Sequence, residues 1–221
     1  TPSLYLSILN HPRSWRAKQF YRWYPEGGYG SNFSRWASQP DPNPYNSWGN
    51  GAAMRISPAG YAYADLATVL IKTTEFTAVT HNHPEGLKGG QATATAIFLA
   101  RTGHSKAAIK TYIEEQFGYN LSRSIADLRP HYQFNESCQE TVPQAICAFL
   151  ESTDFEDALR TAVSLGGDTD TLTCITGGLA QAFYGGVPEP IAAAVYERLD
   201  ERLGAITRAF MARYGETSSS P

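Results

Sequence analysis

From about Ser57 onward, apolar residues recur every three to four positions, with short Gly, Pro or Asn breaks between the runs. No convincing period-two alternation appears, so the pattern predicts a mainly α chain. The expected helices are Tyr61 to Phe76, Leu87 to Arg101, Ser105 to Phe117, Val142 to Leu150 and Phe155 to Ser164. Ser105 reads as an N-cap and Gly118 as a stop, with Ala108, Ile109, Tyr112 and Ile113 forming the stripe between them. After a glycine pair at 166 and 167, Leu172, Ile175, Leu179, Ala182 and Phe183 mark one face of the next helix. Gly177 and Gly178 cost that helix stability unless a neighbouring backbone packs closely there. A last helix is expected from about Pro190 to Tyr214, followed by a frayed tail at Ser218 to Pro221.

The first 56 residues break this pattern. They hold all four tryptophans (Trp15, Trp23, Trp36, Trp48), many of the prolines and the tract Gly27-Gly28-Tyr29-Gly30-Ser31. The expectation is a loop-rich ligand-binding segment over 1–56 and a helical body over 57–214, together forming one all-α globular domain. A chain of 221 residues buries a substantial core without needing a second domain. With 18 basic and 21 acidic residues, neither sign forms a block, which disfavours nucleic acid and anionic membranes as partners. No apolar run reaches the roughly 20 residues that span a bilayer, and the start lacks signal-peptide regions, so the expectation is a cytoplasmic chain. Cys138, Cys147 and Cys174 fit neither a disulfide framework nor a zinc-finger spacing and read as reduced, mostly structural thiols. Cys174 reads as a small buried side chain.

Three constellations carry candidate chemistry. Gly166-Gly167-Asp168-Thr169-Asp170-Thr171 sets two carboxylates and two hydroxyls on a glycine-loosened turn before a helix. Such oxygens suit a hard cation, whereas an N-cap would use the same residue types to satisfy backbone amides. Ser47-Trp48-Gly49-Asn50-Gly51-Ala52-Ala53-Met54-Arg55 places small residues around one amide, which suits close approach to phosphates or hydroxyls; a tight turn with Asn50 or Gly51 at positive φ is the alternative. Gly28-Tyr29-Gly30 has the same character, with a tyrosine positioned to stack on a base or sugar. Thr80-His81-Asn82-His83-Pro84-Glu85-Gly86 puts two imidazoles two apart, with Pro84 and Gly86 ending structure before Leu87. One histidine as a ligand donor and one as a structural residue is the economical assignment, ahead of a zinc site or an H-N-H nuclease, whose motif needs strands.

In this order, Gly28-Tyr29-Gly30, Ser47 to Arg55, Thr80-His81, Gly89-Gly90-Gln91-Ala92 and Gly166 to Thr171 resemble the ADP-ribosylglycohydrolase family, over roughly Gly27 to Gly186. The resemblance implies an all-α fold with two Mg²⁺ ions, Mn²⁺ being the alternative, that removes ADP-ribose from a modified protein or small molecule. It implies metal ligation by Asp168, Asp170 and Thr171, with the two aspartates catalytic. It also implies ligand contact by Gly28, Tyr29, Gly30, Ser47, Gly49, Asn50, Gly51 and His81. Family members carry a T-D-D metal segment upstream of the glycine-tyrosine loop. Before Asp65 this chain has only Glu26 and Asp41 as carboxylates, so half of the expected cage is missing from the sequence. The expectation is a fragment, a piece completed by another chain, or a form that lost catalysis. The last would leave an ADP-ribose-binding or crystallin-like structural protein.

Overall fold

The computed structural model describes residues 13–215. They form thirteen helices, and no strand occurs among the described residues. In chain order these are α1 (Arg13–Trp23), α2 (Ser31–Ser38), α3 (Gly51–Met54), α4 (Ser57–Ala62), α5 (Leu66–Thr77), α6 (Pro84–Arg101) and α7 (Lys106–Phe117). They continue with α8 (Ile125–Leu128), α9 (Cys138–Glu151), α10 (Phe155–Ser164), α11 (Thr169–Tyr184), α12 (Glu189–Arg198) and α13 (Glu201–Tyr214).

The hub is α6. Its residues 89–100 are dominated by Gly, Ala and Thr, which leave room for neighbours on every side, and all of them but Gln91 are buried. It packs against α3, α4, α5, α7, α9 and α11. A Cβ on Gly89 would stand 2.5 Å from Cys138 Sγ, so the hub and α9 touch nearly backbone to side-chain root. Helices α9, α10 and α11 form a second packed group, of which α9 and α11 lie against the hub, with Leu172, Ile175, Leu179, Val142 and Ile146 fully buried. The glycines of α11 sit at close packing as well: a Cβ on Gly178 would stand 2.7 Å from Ser57 Oγ.

Several helix ends depart from the apolar pattern where a polar cap intervenes. Tyr61 to Phe76 is two helices, because Asp65 accepts a hydrogen bond from the Thr68 amide (2.8 Å) and starts α5 afresh. The expected helix at Leu87 begins at Pro84, with His83 Nδ1 accepting from the Glu85 amide (3.1 Å) and proline at the first turn, where its missing N–H costs nothing. Gly86 lies within this helix rather than ahead of it. Helix α9 starts at Cys138, capped by Ser137, and carries Pro143 inside it. The long final helix is divided at Leu199–Asp200, where Asp200 caps α13. Ser105 to Phe117 forms as expected, with Gly118 closing it at φ +67°.

The first 56 residues correct the loop-rich expectation: α1, α2 and α3 lie within them, and residues 1–12 fall outside the described part, as does the tail at Ser218 to Pro221. Helices α1 and α2 pair through an aromatic cluster of Tyr21, Tyr29, Phe33 and Trp36. Lys18 closes the pair by donating to the carbonyls of Gln39 (2.5 Å) and Pro40 (2.7 Å). The Tyr24 hydroxyl, donating to Asp200 (2.7 Å), and Arg202 over the Trp23 ring tie the pair to α13. None of the described helices is long and apolar enough to cross a membrane.

Candidate functional site

The site begins at a cap that does not cap. Asp65, Ser105, Ser124, Ser137, Asp154 and Asp200 each stand before a helix in extended backbone, and each accepts a hydrogen bond from an amide of the first turn. Asp168 stands before α11 at φ −80°, ψ 69°, and its carboxylate takes no such bond. Gly166 and Gly167, both at positive φ (+75° and +67°), turn the chain so that this carboxylate points elsewhere. The helix forgoes a cap worth about 1 kcal/mol. What Asp168 meets instead is Asn50, whose Nδ2 donates to Oδ2 at 2.6 Å.

Asn50 is buried, at φ −66°, immediately before the short helix α3, so neither it nor Gly51 is the positive-φ turn residue; Asn46 takes that role at φ 54°. Its amide nitrogen also donates to Thr141 Oγ1 (3.1 Å), and its backbone N–H donates to the Glu136 carbonyl (2.7 Å). The preceding residues are fixed just as firmly. Ser47 Oγ accepts from the Gly49 amide (3.1 Å), the Trp48 carbonyl accepts from the Cys138 amide (2.9 Å), and the Gly49 carbonyl accepts from Cys138 Sγ (3.2 Å). Gly49 and Ser137 form an isolated antiparallel bridge. The loop is thereby clamped between α6 and the segment leading into α9.

Asp168 and Asp170 interact directly. Burial first, and then the hydrogen bond with Asp170, push the Asp168 carboxyl above its ordinary range. The Asp168 bond and the Thr171 amide hold Asp170 below it. Thr171 is buried with its hydroxyl directed at Met54 Sδ (3.6 Å), and Cys174 Sγ donates to the Met54 carbonyl (3.2 Å). Cys174 is exposed rather than buried, while Cys138 and Cys147 are buried; all three are free thiols.

His81 closes the other side. It is buried, with Nε2 3.5 Å and 3.6 Å from where a Cβ on Gly51 or Gly49 would lie. Burial first, and then the Arg55 guanidinium, depress its pKa to about 3, so the imidazole is neutral at ordinary pH. Tyr45 lies against the ring at a centroid distance of 6.1 Å. His83 is structural: its Nδ1 caps α6 and its ring lies against the exposed Trp48. With His83 so engaged, the paired-histidine zinc arrangement does not form, and among the described residues no three His, Cys, Asp or Glu side chains gather closely enough to hold a metal ion.

The structure therefore brings Ser47, Gly49, Asn50, Gly51 and His81 together, and joins Asn50 to Asp168, which in turn interacts with Asp170 and Thr171. Gly28, Tyr29 and Gly30 stand apart from these contacts. Tyr29 packs on Tyr21 and Phe33 within the α1–α2 pair, and the two glycines are exposed. Residues the sequence did not single out also support the site. Thr141 anchors Asn50, and Tyr132 packs where a Cβ on Gly167 would stand 2.7 Å from its ring. No local signal marks them, because their role comes from partners far away in the chain.

A family model for ADP-ribosylglycohydrolase matches residues 4–219, well beyond the motif-bearing stretch on both sides. The ADP-ribosylhydrolase ARH3 of Bos taurus is 26% identical over 231 residues, a match covering 77% of this chain and 63% of the relative. The ADP-ribosylarginine hydrolase Tri1 of Pseudomonas putida is 26% identical over 156 residues, covering 68% of this chain and 41% of the relative. An uncharacterized Archaeoglobus fulgidus protein is 28% identical, with 63% and 50% covered. The chain thus spans between 41% and 63% of the length of these curated relatives. A solved structure titled "ADP-ribosylglycohydrolase-related protein complex" superposes with a TM-score of 0.67 at 27% identity, over 90% of this chain and 73% of that one. The all-α architecture, the clamped Asn50 loop and the nearly full-length match lead to one conclusion: this chain belongs to the ADP-ribosylglycohydrolase family.

Proposed function

We propose that the chain carries the ligand-binding face and one half of the metal centre of an Mg²⁺-dependent hydrolase that removes ADP-ribose from a protein or small-molecule acceptor. One observation supports this above the rest: Asp168 gives up its cap and takes a hydrogen bond from Asn50, 118 positions away, while facing a second carboxylate. A purely structural turn gains only the tie to Asn50 from that exchange. A ligand-binding one gains two oxygen donors at the edge of a clamped loop.

The donor set fits a hard cation in part. Asp168, Asp170 and Thr171 offer carboxylate and hydroxyl oxygens, the chemistry Mg²⁺ prefers, and their mutual repulsion is relieved by positive charge. A divalent ion, when bound, supplies Lewis acidity and a polarised water for attack at the anomeric carbon. The chain's own residues do the rest. Asn50 orients Asp168, the Ser47–Gly51 backbone offers a tight polar surface to diphosphate or ribose oxygens, and neutral His81 stands against the same loop. Carboxylates beside the anomeric carbon favour its oxocarbenium-like transition state. The relatives named ADP-ribosylhydrolase and ADP-ribosylarginine hydrolase favour such a substrate here.

Calorimetric titration of ADP-ribose, with Mg²⁺ and with chelator, tests the proposal. Mg²⁺-dependent binding that disappears in Asp168→Asn/Asp170→Asn is the expected result. Binding of equal strength in the double variant would remove the metal reading, and no binding in either buffer would remove the ADP-ribose reading for this chain.

A further inference from the structure

The Nδ1 side of His81 is occupied by two groups: Thr80 Oγ1 at 2.7 Å and the Arg55 guanidinium at 3.2 Å, which also donates to Thr80 Oγ1. A hydroxyl donates or accepts as its partner requires, so Thr80 alone leaves the ring free to choose. A guanidinium carries only N–H groups and stays protonated in proteins, so Nδ1 facing it has to accept. The ring proton is then on Nε2, the atom turned toward Gly49 and Gly51.

We propose that Arg55 is a positioning residue that fixes His81 as an Nε2–H donor aimed at an oxygen of the ligand held on the glycine loop. The identity of that ligand rests on the ADP-ribose reading above. Arg55 also links the two polar ends of the site. It follows α3 directly and Asn50 precedes it, so one four-residue helix carries the amide that orients Asp168 at its start and the guanidinium that orients His81 at its end. A neutral imidazole held in this tautomer only donates from Nε2. The group it recognises is therefore a hydrogen-bond-accepting oxygen, whether of a ribose hydroxyl or of a phosphate, and not an N–H or ammonium group.

The test needs no ligand for its first step. Nitrogen-15 NMR of the imidazoles is recorded for the wild-type chain, Arg55→Met and Arg55→Lys. The expected spectrum shows His81 as pure Nε2–H in the wild type and in Arg55→Lys, and as a mixture with Nδ1–H in Arg55→Met. An Nδ1–H wild-type ring, or an Arg55→Met ring as pure as the wild type, would overturn the assignment. If Arg55→Met does not fold, Thr80→Val leaves Arg55 as the sole Nδ1 partner; Nε2–H must persist there, and Nδ1–H would overturn the proposal. In the second step, Arg55→Met weakens ADP-ribose binding roughly tenfold, the loss of one well-aimed hydrogen bond, while Arg55→Lys retains most of it. Unchanged affinity in Arg55→Met overturns the ligand-facing role. A wild-type chain that binds no ADP-ribose instead sinks the substrate reading and leaves the tautomer result standing.

Discussion

Asp168 shows how a single residue can sit in a familiar position for an unfamiliar reason. The sequence offered both roles for it, cap and ligand, and the backbone angles with the bond to Asn50 remove the first. Because burial and then the neighbouring Asp170 disfavour the charged form of Asp168, Asp168→Asn is expected to raise the melting temperature of the metal-free chain by about 1–3 °C, since the new carbonyl still accepts from Asn50. A fall in melting temperature by scanning calorimetry would show that the carboxylate is structurally required. His81 makes the opposite kind of demand. Its folded pKa of about 3 lies below the ordinary 6.5, so the unfolded chain binds the extra proton and stability is lost as pH falls from 6.5 toward 3. His81→Gln should remove roughly 1–3 kcal/mol of the stability lost between pH 6.5 and about pH 4.5. Denaturant titrations at the two pH values check this, and an identical loss in both proteins would assign the acid sensitivity to other groups.

At the level of elements, the period of the apolar residues located the helical body but not its joints. Asp65 and Asp200 divide what the stripes of Tyr61 to Phe76 and Pro190 to Tyr214 suggest is continuous, because one carboxylate bonded to a first-turn amide restarts a helix whatever the hydrophobic phase. Helices α1 and α2 escaped notice for a related reason. Helix α2 has only eight residues and α1 has polar residues all round, so their order comes from aromatic pairing between them and from ties to α13. The hub's small residues are the reverse case, legible as a run of Gly, Ala and Thr but not as the places where neighbours touch. Gly89→Ala would place a methyl 2.5 Å from Cys138 Sγ and 2.7 Å from its Cβ, too near the backbone of α9 to relax easily. A loss of about 2–3 kcal/mol is expected in urea titration, with Gly30→Ala, open on all sides at an ordinary φ, within about 0.5 kcal/mol of wild type.

Across the whole molecule, the candidate site was legible where chemistry-bearing residues cluster in sequence and illegible where they meet only in space. Asp168, Asp170, Thr171, Ser47 to Gly51 and His81 belong to the first kind, whereas Thr141, Tyr132 and the orienting role of Arg55 belong to the second. Gly28-Tyr29-Gly30 reads like a ligand loop but is engaged in the α1–α2 pair. Tyr29→Leu, which keeps the apolar packing and removes the ring, is therefore expected to leave ADP-ribose affinity within about twofold. A tenfold loss by calorimetry would return that loop to the binding surface.

The bridge between Gly49 and Ser137, with the bonds from Asn50 to the Glu136 carbonyl and to Thr141, joins segments separated by most of the helical hub. Contacts so distant along the chain carry a large loop-closure cost and give nothing back until the helices between them are in place. The Ser47–Gly51 loop is therefore expected to assemble late, on a helical body already in place. Asn50→Ala should accelerate unfolding in a chevron experiment while leaving the refolding arm nearly unmoved, and a slowed refolding arm would place the loop in the nucleus instead. A loop closed in this order opens without the helical body coming apart, so the Asn50 and Cys138 amides are expected to exchange through local opening, at a free energy below that of global unfolding.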